Sequence, residues 1–392
     1  TDKNGNIYVS GLSWDEKDMF QVAYDTYGNK LWGYYWNNTN SGSASTNLPY
    51  DMACDSDNNI ITVGRDYHTY DFGPGKILKM SPDGTVVWKK VLYDTTETTV
   101  GAGSVVLKGV DIDKNNNIVV LGETSVQGRI QSQYGSYYDH MILAKLNTTD
   151  GSLVWSKNIG WDWDSANWPH VSPTNGWSDW YKYPNARGIA LSGTDPKVDD
   201  SNNIYGTSWQ GRSLYDSSQN FLMSSDFAVA FKTDSVGELL WYSTLQTNDS
   251  IDHASDNLYN LNLFPSGDPV LTGWTVISYT DYNNNDVRPQ VVKLDKTDGS
   301  IKWQRVYNFN GTAPGVHYNS AIDDDGNLYF GAVKATGTDS DKQFNIILKY
   351  DSDGNLLDEK KIRSHAGYFT LGDVEIDAHN NLILTGDFED SL

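Results

Sequence analysis

The stretch Asp113-Lys-Asn-Asn-Asn-Ile118-Val-Val-Leu-Gly122, with its continuation Leu143-Ala-Lys-Leu-Asn-Thr-Thr-Asp-Gly151-Ser-Leu-Val-Trp155, decides the fold. Its first half is an Asp- and Asn-rich turn that releases into a β-branched, apolar run. Its second half is an apolar strand, an Asp-Gly turn and a strand carrying Trp. Tight turns of this composition between short apolar runs are hairpin signals. The unit therefore reads as four strands: A (from Val110), B (Ile118 to Gly122), C (Met141 to Leu146) and D (Ser152 to Ile159).

The same unit recurs along the chain. The A-to-B half returns as Asp2 to Gly11, Asp55 to Gly64, Asp199 to Gly206, Asp323 to Gly331 and Asp377 to Gly386, with a degenerate copy from Phe264 to Gly273. The C-to-D half returns as Val22 to Trp32, Ile77 to Trp88, Val229 to Trp241, Val291 to Trp303 and Ile347 to Asp358, where Asp358 stands in the place of Trp. Gly and Trp keep a spacing of four residues in five copies. Helical periodicity is absent. Four-strand units repeating every ~40–60 residues describe an all-β protein, a β-propeller of six or seven blades, in which blade packs on blade.

The carrying residues Leu-x-x-x-Asp-Gly-x-x-x-Trp, as in Leu146 to Trp155 and Leu294 to Trp303, resemble bacterial-type propeller repeats. These include the SBBP-like and PQQ-like (quinoprotein) repeats found in secreted and virion structural proteins. The resemblance spans nearly the whole chain. It implies that Trp32, Trp88, Trp155, Trp241 and Trp303 dock structurally into the neighbouring blade. In some quinoprotein members it would also imply a calcium-bound quinone and a vicinal Cys pair; the single Cys54 does not fit that signature.

The expected organisation is one propeller domain over 1–392. It comprises a partial blade at 1–36, blades at about 50–93, 108–160, 187–247, 257–308 and 317–363, and a partial blade at 372–392. Strands B-C-D at the start and A-B at the end leave one B strand surplus to a six-blade ring. The simplest expectation is a longer polypeptide with seven blades in the intact molecule.

Strand order sorts the connections. A-to-B and C-to-D turns fall on one face and are short. B-to-C and D-to-A connections fall on the other and hold the insertions Asn37–Tyr50, Tyr93–Lys108, Thr124–Asp139, Gly160–Arg187, Trp209–Asp226 and Thr275–Arg288. A rigid scaffold with unlike loops on one side is the geometry of a binding surface. The richest insertion, 160–187, carries Trp161, Trp163, Trp168, Trp177, Trp180 and Tyr181, and Tyr137 and Tyr138 belong to the same face. Large amphipathic rings suit a protein interface or a glycan, while a self-contained satellite core is the bland alternative.

Composition narrows the partners. Lys plus Arg is 29 against 51 Asp plus Glu, a net charge of −22, which disfavours nucleic acid and anionic membranes. No apolar run reaches membrane-spanning length. Fifty aromatic residues (25 Tyr, 14 Trp, 11 Phe) exclude a disordered chain. One Cys excludes a disulfide framework.

Chemistry-bearing motifs are sparse. Asp55, Asp57, Asp323 and Asp325 open Asp-x-Asp-x-Asn turns. These read as hydrogen-bonded Asx turns or as weak calcium sites, since an EF-hand also needs a distant Glu and two helices. No other cofactor is expected. No nucleophile elbow, phosphate loop or zincin motif occurs. The expected function is a non-enzymatic structural or recognition propeller outside the cell, such as a virion tail or fibre component or a bacterial surface adhesion module. Its partners would be other structural proteins of the assembly or a surface glycan. The second reading is a carbohydrate-binding or carbohydrate-cleaving protein that uses loop 160–187.

Overall fold

The computed structural model describes residues 1–13, 18–36, 45–68, 72–93, 104–125, 139–159, 195–215, 221–245, 256–279, 285–308, 319–334, 344–362 and 367–390. All regular structure among them is β. The chain opens with a three-stranded sheet of β1 (Ile7–Ser13), β2 (Asp18–Tyr24) and β3 (Lys30–Trp36). A four-stranded sheet follows, β4 (Ser45–Cys54), β5 (Ile60–His68), β6 (Phe72–Met80) and β7 (Val86–Leu92). The next is β8 (Ser104–Ile112), β9 (Asn117–Ser125), β10 (Asp139–Asn147) and β11 (Leu153–Ile159). Then come β12 (Lys197–Val198), β13 (Ile204–Tyr215), β14 (Phe221–Thr233) and β15 (Leu239–Leu245). They are followed by β16 (Asp256–Leu263), β17 (Pro269–Tyr279), β18 (Asn285–Leu294) and β19 (Ile301–Val306). The fifth four-stranded sheet is β20 (Ser320–Ile322), β21 (Leu328–Lys334), β22 (Phe344–Tyr350) and β23 (Leu356–Ile362). The last sheet is a pair, β24 (Gly367–Ile376) and β25 (Leu382–Asp390).

Strands lie in each sheet in chain order, and every pair with a described register is antiparallel. These are β-propeller blades: B-C-D, five complete blades, then A-B. Two compact units divide the chain. One is built on the first three sheets and the other on the last three.

Burial runs across each blade. In β8 the side chains of Val105, Leu107 and Val110 are buried, whereas Val87 and Val91 of the D strand β7 are half exposed. The A strand is thus the covered edge and the D strand the open one. Cores form where blades pack. Ile61, Val63 and Ile77 of one sheet meet Val105, Val120 and Ile142 of the next. Phe264, Val270 and Val291 likewise meet Phe330, Ile346 and Leu348.

The strands run further than sequence periodicity indicates. Strand A of the third sheet begins at Ser104 rather than Val110, and β9 continues past Gly122 to Ser125. A β-bulge hides the pattern. The A strand carries one extra residue between Pro49 and Asp51, Leu107 and Gly109, Leu258 and Asn260, and Leu371 and Asp373. Each bulge faces the B-strand glycine, Gly64, Gly122, Gly273 or Gly386. A Cβ on Gly64 would lie 1.9 Å from the Leu48 carbonyl oxygen, so a close backbone approach requires the glycine. The same extension shortens the insertions. Much of Trp209–Asp226 and Thr275–Arg288 is strand, in β13, β14, β17 and β18.

Candidate functional site

The two ends of the blades differ in chemistry. At the turn end, every A-to-B turn is closed by the same pair of backbone bonds, as in Asp55 N to Asn59 O at 2.9 Å and Asn58 N to Asp55 O at 3.0 Å. The fourth turn residue has positive φ and is Gly5, Asn58, Asn116, Asn202, Gly267, Gly326 or Asn380. Where it is Asn, its Oδ1 takes a backbone N–H of the neighbouring turn: Ser56 N to Asn116 at 2.9 Å, Lys114 N to Asn202 at 2.8 Å and Asp324 N to Asn380 at 3.1 Å.

The first turn residue is Asp in every copy but that of Phe264, and Asp2, Asp55, Asp113, Asp323 and Asp377 are buried. Asp55 accepts from the backbone of Asp57 and Asn59 and the Asn59 amide, and it pairs with Lys79 Nζ at 2.7 Å. Asp113 pairs with Lys145 at 2.9 Å and Asp323 with Lys349 at 3.3 Å. Burial works to raise the Asp55 carboxyl, but Lys79 and Asn59 outweigh it and hold it below the usual carboxylate range. Of the four aspartates read as candidate calcium ligands, Asp55 and Asp323 therefore have their oxygens engaged by N–H groups and a lysine ammonium. Among the described residues no group of three potential ligands is arranged for a metal ion.

The C-to-D turns interlock through tryptophan. Trp88 Nε1 donates to Thr148 O at 3.1 Å, and Lys79 Nζ donates to the same oxygen at 2.9 Å. Trp241 and Lys232 share Lys296 O in the same way, and Trp303 and Lys293 share Ser352 O. Trp32 donates to Pro82 O at 2.8 Å. Each indole covers the turn glycine. A Cβ on Gly84 would meet Trp32 at 2.8 Å, one on Gly151 would meet Trp88 at 3.1 Å, and one on Gly237 would meet Trp155 at 3.0 Å. On Gly299 it would meet Trp241 at 2.6 Å, and on Gly354 it would meet Trp303 at 2.9 Å. The lysine two residues before each of these turns was a readable signal, since it recurs as Lys79, Lys145, Lys232, Lys293 and Lys349.

On the loop side of the bulge glycines the inventory changes. Buried polar residues collect there: Asn47, Asp66, Ser208, Asp256, Asn257, Thr275, Gln290 and Asn345. Asp66 pairs with Lys76 at 2.9 Å. The bulge brings the A-strand edges β4 and β8 together, with Val110 N donating to Asp51 Oδ2 at 2.7 Å. Val198 N donates likewise to Asp111 Oδ2 at 2.7 Å. Burial pushes the Asp51 carboxyl well above the usual range. The Asp195 charge adds to that shift, and Lys197 with the two N–H donors only partly opposes it. Asp111 is raised by burial in the same way. Asp195 itself pairs with Lys197 at 2.7 Å. Beside this group the bulge residues Tyr50 and Lys108 meet, with Lys108 Nζ 4.4 Å from the Tyr50 ring centroid and Arg65 Cζ 6.0 Å from it. Sequence reading missed this cluster because its members lie in different strands of two blades, joined by no spacing along the chain. The unpaired bulge positions bring them together.

Trp161, Trp163, Trp168, Trp177, Trp180, Tyr181, Tyr137 and Tyr138 lie outside the described residues.

No protein-family profile and no curated protein sequence matches this chain. Solved structures do. The chain is similar to an ulvan lyase of polysaccharide lyase family PL25, bound to a GlcA-Rha3S saccharide, at a TM-score of 0.53 and 10% identity over 99% of this chain and 88% of that one. It is also similar to a protein of unknown function from Dyadobacter fermentans, at a TM-score of 0.48 and 9% identity over 98% and 95%. BamB from Moraxella catarrhalis matches at a TM-score of 0.39 and 14% identity over 97% and 84%. At these identities the likeness extends to the fold alone, which is the β-propeller read from the repeat.

Proposed function

We propose that this chain is a non-enzymatic recognition propeller that works outside the cell and engages its partner through the loop end of the blades. One observation carries the reading. The two ends of the same strands are built for different tasks. At the turn end the aspartates close each turn and pair with a lysine of their own blade, while asparagines, lysines and indoles bond to the next blade. The connections at the other end differ in length from one blade to the next, and the strand halves leading to them bury polar side chains that differ from blade to blade among the apolar ones. A constant end and a varied, polar end on one scaffold is the division expected of a binding module. A virion fibre or tail protein, or a bacterial surface adhesion module, is the setting that suits an acidic chain with one cysteine. The partner is then another protein of the assembly or a surface glycan.

The test uses the whole chain and a Trp163→Ala, Trp168→Ala double variant. Both are titrated with a panel of polysaccharides by intrinsic fluorescence and run in sedimentation for self-association. Lys302 pairs with Asp268 and Asp295 at the turn end, at 2.9 and 3.1 Å, and a saturable response or an association that the double variant loses, and that Lys302→Gln keeps, supports the reading. Equal loss in both variants sends the binding surface elsewhere. Cleavage of any polysaccharide in the panel overturns the non-enzymatic assignment.

A further inference from the structure

Four side chains gather at the edges of two neighbouring blades without taking part in the repeat's clasps. Tyr50 and Lys108 are the extra residues of the bulges in β4 and β8. Arg65 and Glu123 each follow the bulge-facing glycine, in β5 and β9. Lys108 Nζ lies 4.4 Å from the Tyr50 ring centroid and 3.8 Å from Glu123 Oε1, and Arg65 Cζ lies 6.0 Å from the same ring. Tyr50 nevertheless keeps 39% of its surface open.

We propose that Tyr50, Arg65, Lys108 and Glu123 form a subsite for an acidic sugar, a hexuronate unit of a polyanionic polysaccharide. The argument is chemical complementarity. A hexuronate presents a carboxylate, hydroxyls and apolar C–H groups. Here two cations, Lys108 and Arg65, lie against one aromatic ring, and charge-assisted bonds to a carboxylate are the strong ones. The exposed part of the Tyr50 ring offers an amphipathic surface to the C–H groups. Glu123 accepts from a hydroxyl. Lys79, Lys145 and Lys349, by contrast, face aspartates in the turns. Bulges are a common means of re-aiming a side chain toward a site. The subsite stands on strand residues and is independent of the long loops, so it extends the recognition reading without resting on it.

The experiment measures binding of an oligogalacturonate and of the uncharged maltotetraose by calorimetry, on the whole chain. The variants are Lys108→Gln, Tyr50→Ala, Tyr50→Phe and the turn-end control Lys302→Gln. Urea midpoints establish that each variant is folded. The expected result is binding of the oligogalacturonate alone. Its affinity falls about tenfold in Lys108→Gln, the loss of one charge-assisted contact. It falls similarly in Tyr50→Ala and is kept in Tyr50→Phe and Lys302→Gln. The Trp163→Ala, Trp168→Ala variant keeps it too, which separates this subsite from the loops. Equal binding of the neutral sugar, equal binding of a glutamate-rich peptide, no binding of the oligogalacturonate, or the same loss in Lys302→Gln overturns the assignment.

Discussion

The turn ends and the loop ends of these blades are made from the same strands and obey opposite rules. At the turn end one solution is copied: Asp in the first position, a positive-φ residue in the fourth, and Lys and Trp meeting on one carbonyl. At the loop end equivalent positions carry unlike residues. The residue after the bulge-facing glycine is Arg65, Glu123, Trp274 or Asp387. The difference teaches where stability is concentrated. A repeat protein is held by its neighbour interfaces, and here the polar contacts that are copied from blade to blade lie at one end, whereas those of the other half, such as Val110 N to Asp51, are individual.

The largest expected effect comes from breaking a clasp. Trp241 is 8% exposed, covers Gly299 and donates to Lys296 O. Trp241→Ala removes a buried indole and leaves that oxygen with one donor fewer. The expected cost is about 3–5 kcal/mol, read from the urea midpoint. A cost below about 1 kcal/mol would mean that blades hold together through their apolar faces alone.

A sharper test uses two glycines with one backbone conformation. Gly299 has φ 74° and Gly28 has φ 81°. A Cβ on Gly299 would meet Trp241 at 2.6 Å, whereas nothing lies within 4 Å of one on Gly28, beside the largely exposed Tyr27. Both Gly→Ala variants suffer the left-handed backbone penalty of about 1 kcal/mol. Gly299→Ala alone must also displace an indole, for about 1–3 kcal/mol more. The difference between the two midpoints isolates the tryptophan clasp from the turn. Equal effects would show that these glycines are required for backbone conformation only.

These pairs also show what the sequence makes legible. A clasp that recurs writes itself into the chain as a fixed spacing, so Gly151 and Trp155, or Gly299 and Trp303, give the fold and the blade order directly. The reason for the B-strand glycine is not readable in the same way. Gly64 and Gly273 look like strand ends, yet both are mid-strand residues opposite a bulge, and the contact that demands them comes from the partner strand. Bulges shift the alternation by one residue, which is why the A strands begin earlier than their pattern suggests. The Tyr50 cluster is harder still. Its four members are joined only by pairing between strands and by the approach of two blades, and no spacing along the chain encodes it.

A smaller effect is expected where the clasp is one hydrogen bond. Asn116 has φ 61° and accepts from Ser56 N at 2.9 Å. Asn116→Gly keeps the conformation and loses the acceptor. The expected cost is about 0.5–1.5 kcal/mol, with hydrogen exchange at the Ser56 amide accelerated more than at the Asn59 amide, whose acceptor Asp55 is untouched. Uniform acceleration of both would make Asn116 part of the turn rather than a tie between turns.

The smallest effect, and the one that compares the ends most directly, is a slope. Turn-end carboxylates such as Asp55, Asp113 and Asp323 are held below their ordinary range, burial being outweighed by lysine and N–H partners. Their contribution is present above the unfolded value of about 3.9 and is lost as pH falls through the lowered folded value. Asp51 has the reverse sign. Burial and Asp195 raise it, so its contribution is full below the unfolded value and is lost as pH rises through the raised one. Asp111, raised by burial, follows it. Lowering the pH from 8 toward 5 should therefore increase stability, since the fold favours the protonated form of the loop-side carboxyls while the turn side keeps its charge. Asp51→Asn cannot be protonated. Its single amide oxygen cannot accept from both Val110 N and Met52 N, so the substitution should lower stability, and by more at pH 5 than at pH 8. It should also flatten the slope between pH 8 and 5, leaving the acid limb below pH 4 where it was. Urea midpoints across that range measure both limbs. An unchanged slope would mean that Asp51 stays ionised beside Lys197, and that the loop half of the blades holds its charges as comfortably as the turn half does.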